Sequence, residues 1–415
     1  MKKVKRHIVY SFLFIIVLFV ISPCQIVNAG EAVAKNSSSE WYKENGHSGP
    51  SIRWKRKYGL LAKNVKSVKV AMSLSMNSNA VFISQREGEW RNINFSEKYT
   101  RTDKNGILYK NDLVASQVSD FYPVDVIELF LKKGGKELLY TGWETDFMPL
   151  SIKSKGGNLF EFHVLNNVGD CWYGEGMLTY IKDGALHIYA PGEETLYKKK
   201  FFKGKINQIC KVVSCANYCS DGYQNTFFVL MKNGTVWGMG YNNRHLISNE
   251  DKEYYSKFVK LKVKNVKDIC AARKNVGILK KDGSLWMWGQ KRSGKGGKNK
   301  KFTVTPWCID NNVQSFSMSP SGDYNCILLF VKNGKAYGWG SARRYALPKK
   351  SKNNWHNDRP VLLKSNIKQV YAGVDMTLLL DNDGNLYWRG CAANPIDLSY
   401  IEKKHRSAKK YALSQ

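Results

Sequence analysis

The chain has 415 residues, with 65 Lys and Arg against 34 Asp and Glu, a formal net charge of +31. A field of that sign attracts polyanions and is screened by salt over a Debye length of about 8 Å. Apart from one N-terminal run, the apolar stretches are short and broken by charge, which argues against a second membrane span.

Lys2, Lys3, Lys5 and Arg6 open the chain, Ile8 to Ser22 is an apolar run of 15 residues, and Val27-Asn28-Ala29 fits a small-residue processing site before Gly30. Such a run is short for a membrane span of about 20 residues. Residues 1–29 therefore read as a secretory signal peptide, cut between Ala29 and Gly30. The rival reading is an uncleaved N-terminal segment that anchors the chain. Cys24 follows Ile21-Ser22-Pro23, and proline is unsuited to the position before a lipidated cysteine. The expected location is secreted, with no stable membrane span once the signal is gone. The four leader bases leave with it, which lowers the charge to +27. Residues 30–50 read as a flexible lead-in.

Beyond the lead-in a short phrase recurs. It appears as Lys232-Asn233-Gly234-Thr235-Val236-Trp237-Gly238-Met239-Gly240 and as Lys281-Asp282-Gly283-Ser284-Leu285-Trp286-Met287-Trp288-Gly289. It returns as Lys332-Asn333-Gly334-Lys335-Ala336-Tyr337-Gly338-Trp339-Gly340 and as Asn382-Asp383-Gly384-Asn385-Leu386-Tyr387-Trp388-Arg389-Gly390. Asx-Gly between hydrophobic runs predicts a tight hairpin, a type I′ turn with positive φ at both central residues. The turn glycines Gly184, Gly234, Gly283, Gly334 and Gly384 stand 50, 49, 51 and 50 residues apart, and weaker turns at Gly135 and Gly88 extend the series to seven.

A second signature, Asn-hydrophobic-x-x-hydrophobic, precedes the turns. It reads Asn64-Val65-Lys66-Ser67-Val68, Asn265-Val266-Lys267-Asp268-Ile269, Asn312-Val313-Gln314-Ser315-Phe316 and Asn366-Ile367-Lys368-Gln369-Val370, with a looser form at Lys205-Ile206-Asn207-Gln208-Ile209. Each unit thus holds several short strands and no helical period. A single sheet of this kind cannot bury both faces, so the units must stack, and seven arranged radially close on themselves. The expectation is an all-β chain of about fifty-residue repeats over residues 51–405, followed by a basic tail at 406–415.

Cys210 and Cys270 each follow an inner-strand Ile and read as small buried hydrophobes at matching positions. Cys210, Cys215 and Cys219 lack the spacing and the nearby His of a zinc site. Export leaves disulfides open, and their connectivity is not readable. Asp381-Asn382-Asp383-Gly384-Asn385 starts like a calcium loop but has Ala392 where an EF-hand carries its Glu. No catalytic motif stands out. Hence no catalytic residue, metal or cofactor is assigned.

The repeat resembles that of the regulator of chromosome condensation family, whose unit joins an Asp-Gly turn, an aromatic pair and Trp-Gly to a loop of the form x4-Gly-x2-Gly. Trp288-Gly289-Gln290-Lys291-Arg292-Ser293-Gly294-Lys295-Gly296-Gly297 keeps that spacing, and Leu347 falls where the loop leucine belongs. The resemblance is good over about residues 205–392 and faint over 55–200; it implies a seven-bladed β-propeller. The family's His, eight residues before each turn glycine, is replaced by Thr226, Asn275, Cys326 and Met376, and the last Trp-Gly by Arg389-Gly390.

Rotation-related units should present the loops after their terminal glycines on one common face. Those loops hold Tyr241, Arg244, Lys291, Arg292, Lys295, Lys298, Arg343, Arg344 and Tyr345, where cation–π contacts and stacking are available. The expected function is a secreted or cell-surface binding module, a monomer, that takes a protein or an anionic polymer on a basic loop face. Nucleic acid is not expected as a partner of an exported chain. The alternative is an extracellular carbohydrate-active enzyme with a central pocket. It requires paired inner-strand carboxylates, and the inner strands offer chiefly Asp268.

Overall fold

The computed structural model describes residues 53–73, 78–87, 90–93, 101–102, 108–109, 111–115, 120–123, 129–133, 137–141, 163–165, 168–174, 177–189, 199–219, 222–242, 244–293, 299–321, 325–349 and 356–392. The expectations for the leader, Ala29, Gly30, the lead-in, the basic tail, and the turn glycines Gly88 and Gly135 lie outside these residues.

The described chain is almost wholly antiparallel β-structure, in seven principal sheets. Sheet 1 joins Ser67–Ser73, Ser78–Ser84, Trp90–Ile93 and Asn111–Ala115, and sheet 2 joins Asp120–Pro123, Leu129–Lys133, Glu137–Thr141 and His163–Leu165. Sheet 3 has three strands, Val168–Gly174, Met177–Lys182 and Ala185–Tyr189. Sheet 4 holds Ile209–Cys219, Gly222–Met231, Val236–Tyr241 and Tyr254–Lys260; sheet 5 holds Val266–Ala272, Asn275–Lys280, Leu285–Ser293 and Asn299–Asp310. Sheet 6 holds Val313–Ser321, Asn325–Lys332, Lys335–Ser341 and His356–Ser365. Sheet 7 takes Ile367–Gly373, Met376–Asp381 and Leu386–Ala392 from the end of the chain and Arg53–Ala62 from its beginning. A small ribbon pairs Arg101–Thr102 with Leu108–Tyr109.

The first strands of sheets 1 to 7 touch one another in order, and that of sheet 7 touches that of sheet 1. The sheets therefore stand radially in a closed ring, as the fifty-residue period predicts, and the fold is an all-β propeller. Second strands such as Phe227–Met231 and Ile327–Val331 are buried throughout, because each is covered on both faces by neighbouring sheets. Such strands read as continuous apolar runs. Between sheets 4 and 5, Phe228, Leu230 and Val236 pack with Ile269, Ile278 and Trp288.

The two recurrent signatures meet in space. Asn64, Asn265, Asn312 and Asn366 all have φ between 56° and 61°, a left-handed conformation that Asn tolerates better than most residues. Each turns the chain so that the next N–H donates to the turn glycine of the preceding sheet. Val266 donates to the Gly234 carbonyl at 3.1 Å, Val313 to Gly283 at 2.8 Å, Ile367 to Gly334 at 2.9 Å and Val65 to Gly384 at 2.9 Å. The last of these bonds crosses the junction between the two ends of the chain.

The hairpins correct the turn-type expectation in part. Asp183-Gly184 and Asn333-Gly334 have positive φ at both residues, as type I′ requires. At Asn233-Gly234, Asp282-Gly283 and Asp383-Gly384 only the glycine does. These are three-residue loops in which Gly234 donates to the Met231 carbonyl at 2.8 Å and Met231 to the Thr235 carbonyl at 2.9 Å, the pattern of a type I turn closed by a left-handed glycine. The cause lies in the residue after the glycine. Thr235 Oγ1 donates to Asn233 Oδ1 at 2.8 Å and Ser284 Oγ to Asp282 Oδ1 at 2.6 Å, whereas Ala185 and Lys335 make no such bond. In the last turn Asp381 Oδ1 accepts from the N–H groups of Asp383 at 3.0 Å and Asn385 at 2.8 Å. The supposed start of a calcium loop thus serves as the turn's own scaffold.

A second correction concerns sheet 4. Residues Ile206–Gln208 form a 3₁₀ turn, and Lys232 donates to the Gln208 carbonyl as Lys281 does to that of Asn265. The equivalent of Asn265-Val266-Lys267-Asp268-Ile269 is therefore Gln208-Ile209-Cys210-Lys211-Val212, three residues later than the spacing suggested. Cys210 sits in the bulge, exposed, opposite the bulge position Lys267 rather than Cys270.

Candidate functional site

In sheets 4, 5 and 6 antiparallel order places the first-to-second and third-to-fourth connections at one end. The turn glycines and the links between sheets lie at the other. The loops after Gly240, Gly289 and Gly340 consequently emerge at the same end, with Tyr241, Arg244, Lys291, Arg343, Arg344 and Tyr345 on them.

The loops are held firmly. Asn242 is buried, and its Oδ1 accepts from the N–H groups of Ile247 (2.9 Å) and Ser248 (3.0 Å); its Nδ2 faces the carbonyls of Ser248 (3.0 Å) and Lys252 (3.1 Å). At the positions where the family has His, Thr226 Oγ1 donates to the Tyr241 carbonyl at 2.7 Å and Asn275 Nδ2 to the Gln290 carbonyl at 2.9 Å. Both replacements tether the first residue after the terminal glycine. The organising role of Asn242 has no signal in the repeat, since a polar residue after Tyr241 is indistinguishable from ordinary loop composition.

The aromatic and basic residues divide by environment. Tyr241 packs edge-on against Tyr254, with ring centres 5.0 Å apart. Arg244 is half-buried, its guanidinium 5.7 Å from the centre of the Phe302 ring in sheet 5, and its buried Nε has no hydrogen-bond partner. Lys291 is exposed and stands 5.4 Å from the Trp307 ring. Arg292 pairs with Lys300 in the strand ladder; its side chain, and all of Lys295 and Lys298, lie outside the described residues. Arg343, Arg344 and Tyr345 form a 3₁₀ turn. Arg343 donates its backbone N–H to Ser341 Oγ at 3.3 Å, and Arg344 Nε lies 3.5 Å from Oδ2 of the buried Asp375. Lys349 Nζ stands 4.9 Å from the Tyr345 ring centre.

Neighbouring sheets clamp these loops through the residue before their own terminal glycine. Trp288 Nε1 donates to the Leu246 carbonyl at 2.9 Å. In sheet 7 the same position is Arg389, whose Nε donates to the Tyr345 carbonyl at 2.8 Å and whose guanidinium lies 5.6 Å from the Tyr58 ring. Burial pulls the Arg389 pKa down and pushes that of Tyr58 well up.

Between the first strands of sheets 4 and 5, Lys211 Nζ bonds Asp268 Oδ1 at 2.7 Å and lies 4.0 Å from Cys270 Sγ. Burial lowers the Lys211 pKa, Cys270 and Asp268 raise it, and the net direction is up. Crowding pushes the Cys270 thiol up to about 11. Asp268, the one inner-strand acid singled out by sequence, is thus neutralised by a neighbouring lysine. Among the described residues no cluster of His, Cys, Asp and Glu could hold a metal ion, and no helix is long and apolar enough to cross a membrane.

A concave site lies at the opposite end of sheet 4, with a volume of about 480 Å³. It opens between the link from sheet 3 and the outer edge of sheet 4, over a floor of Phe202, Trp237 and Phe258. Nothing in the sequence pattern pointed to this cleft, because its floor comes from three separate stretches.

No protein-family model matches the chain. No curated protein sequence matches it either. Solved structures do. Human WBSCR16 superposes with a TM-score of 0.55 at 12% identity, over 81% of this chain and 88% of that one. Prp20p from Saccharomyces cerevisiae, a structure described with its binding to Gsp1p and histones, gives 0.52 at 13% identity, over 85% and 96%. The yeast RCC1 protein bound to Kap60 gives 0.51 at 14% identity, over 89% and 86%. The chain has the fold of an RCC1-type β-propeller.

Proposed function

We propose that the protein is an exported binding module that docks a macromolecular partner on the end carrying the third-to-fourth-strand loops. The carrying observation is the hydrogen bonding that holds the loops after Gly240 and Gly340, from within by Asn242 and from the next sheet by Trp288 and Arg389. Loops ordered before contact lose little entropy on binding. The solved propellers similar to this chain include one crystallised with Kap60 and one described with Gsp1p and histones, which supports a binding role without naming the partner. The N-terminal pattern of bases, apolar run and Val27-Asn28-Ala29 supports secretion, and the net charge favours an anionic partner surface.

Export is tested by fractionating the producing cells and sequencing the N-terminus of the extracellular protein, with Gly30 as the expected first residue. A cytoplasmic chain that retains Met1 overturns it. Docking is tested by cross-linking surface partners to the purified protein and to a Lys291→Glu, Lys349→Glu variant. A partner lost by the variant, with cross-links mapping to the loop end, supports the reading; cross-links confined to other surfaces overturn it.

A further inference from the structure

Among the described residues sheet 3 has three strands. Where a fourth would run, the chain makes one bridge, between Leu186 and Phe201, and then reverses, with the Lys205 N–H donating to the Phe202 carbonyl at 2.9 Å. Phe202 holds φ at 54° in this reversal. A positive φ is an outlier for a bulky residue and costs about 1–3 kcal/mol. The strained position sets its ring 4.9 Å from Phe258 and 6.1 Å from Trp237, tilted at 50° and 88°. The three rings form a faceted bowl with no parallel faces.

Lys200, Lys203, Lys205, Lys257 and Lys260 ring the cleft, and all five are exposed. Among the described residues none of them forms an ion pair, and no Asp or Glu lines the cleft. Elsewhere Lys211 has Asp268 as its acid partner and Arg344 has Asp375. An uncompensated ring of positive charge around an apolar floor is complementary to a ligand with an apolar face and anionic edges.

We propose that this cleft binds an acidic sugar unit of an anionic polysaccharide. A pyranose lays a C–H face against an aromatic ring and carries carboxylate or sulfate groups around its edge, where the ammonium groups stand. A nucleic-acid base calls for an open, flat stacking face, which rings meeting edge to face do not offer. An acidic peptide bears its charges on flexible stems and brings no rigid apolar face. The volume of about 480 Å³ falls in the range of small-molecule sites, about 300–1,000 Å³. The site is independent of the loop-end docking reading, since it lies at the other end of sheet 4.

The test is calorimetric titration of the full purified protein with a heparin-derived hexasaccharide, with maltohexaose, hexaglutamate and a dT hexanucleotide as comparators. The expected result is binding of the sulfated sugar that weakens with salt, no binding of maltohexaose, and weaker binding of the other two anions. Lys203→Glu with Lys257→Glu should lower affinity about tenfold or more. Phe202→Gly removes a ring while relieving the backbone, so it should stay folded by circular dichroism and still lose several-fold in affinity. Lys57→Glu, exposed on the outer strand of sheet 7, should bind as the parent does. Unchanged affinity in the two cleft variants overturns the site. Hexaglutamate or the oligonucleotide binding as tightly as the sugar overturns the ligand class. Loss of affinity in Lys57→Glu alone moves the anion site away from the cleft and overturns it.

Discussion

Arg389 Nε donates to the Tyr345 carbonyl, at the position where sheet 5 uses Trp288 Nε1 on the Leu246 carbonyl. The last repeat breaks the Trp-Gly pattern but keeps its function, a buried donor that ties a sheet to the loop of the sheet before it. Arg389→Ala should cost about 1.5–3 kcal/mol, the range for a hydrogen bond from a charged group. Arg389→Trp should recover part of that loss. Urea unfolding of the three proteins checks the order. An alanine variant as stable as the parent would show that this bond contributes nothing.

Gly289 and Gly334 are expected to respond very differently to Ala. A Cβ at Gly289, with φ at 105°, collides with the Lys274 carbonyl oxygen and comes within 3.0 Å of the Asn275 Cα. A Cβ at Gly334 meets nothing within 4 Å, so only the left-handed backbone opposes it. Gly334→Ala should cost about 1–2 kcal/mol and Gly289→Ala about 3 kcal/mol or more. Thermal denaturation of the pair measures the gap.

Thiol chemistry should separate two groups of cysteines. Cys210 and Cys308 are exposed, while Cys171, Cys215 and Cys326 are buried. Burial, with Asp310 adding to it, raises the Cys308 thiol, so Cys210 should react with Ellman's reagent before Cys308, and the buried three only on unfolding. Burial holds the Cys326 thiol up at about 12. Below pH of about 8.5 folded and unfolded chains both keep that proton. Between about 8.5 and 12 only the unfolded chain releases it, so its contribution to stability falls as pH rises. Peptide mapping after timed labelling, and urea midpoints at pH 8 and 10, check both expectations.

Asn242→Ala should loosen the loop after Gly240 without unfolding the sheets. It removes an amide that accepts from two N–H groups and donates to loop carbonyls, in a buried setting where each unmade bond costs about 1–3 kcal/mol. Hydrogen exchange should rise at Ile247 and Ser248 while Phe227–Met231 stays protected. Equal loss of protection in both segments would mean that the loop and sheet 4 open together.

The period of the sequence revealed most of the architecture because the same backbone task recurs in each unit. A left-handed Asn meets a turn glycine, and few residues other than Asn and Gly hold those conformations. The reading slipped where a unit departs from that chemistry. In sheet 4 Gln208 stands in for the Asn, so the register was set three residues early and Cys210 was paired with Cys270. The type of each hairpin was available in principle, in Thr235 and Ser284 against Ala185 and Lys335, but only a hydroxyl's bond back to the turn side chain gives that difference meaning. The loops after Gly240, Gly289 and Gly340 share one end, as rotation of the repeats requires. Their pairing with Asp375, Phe302 or Trp307 could not be read, because it joins residues from different units. The cleft floor joins Phe202, Trp237 and Phe258 from separate stretches, and a repeat pattern is silent about how they meet.

The strand Arg53–Ala62 completes sheet 7 by pairing with Leu386–Ala392, so that Arg53 lies opposite Ala392. Of the described strands it is the earliest made and the one that waits longest for its neighbour. Nearly the whole chain must exist before this latch can fasten, which makes the final stage of folding slow and dependent on distant partners. Until then Leu386–Ala392 presents an unprotected edge, open to the Arg53–Ala62 segment of another molecule, and a chain lacking Arg53–Ala62 keeps that edge permanently.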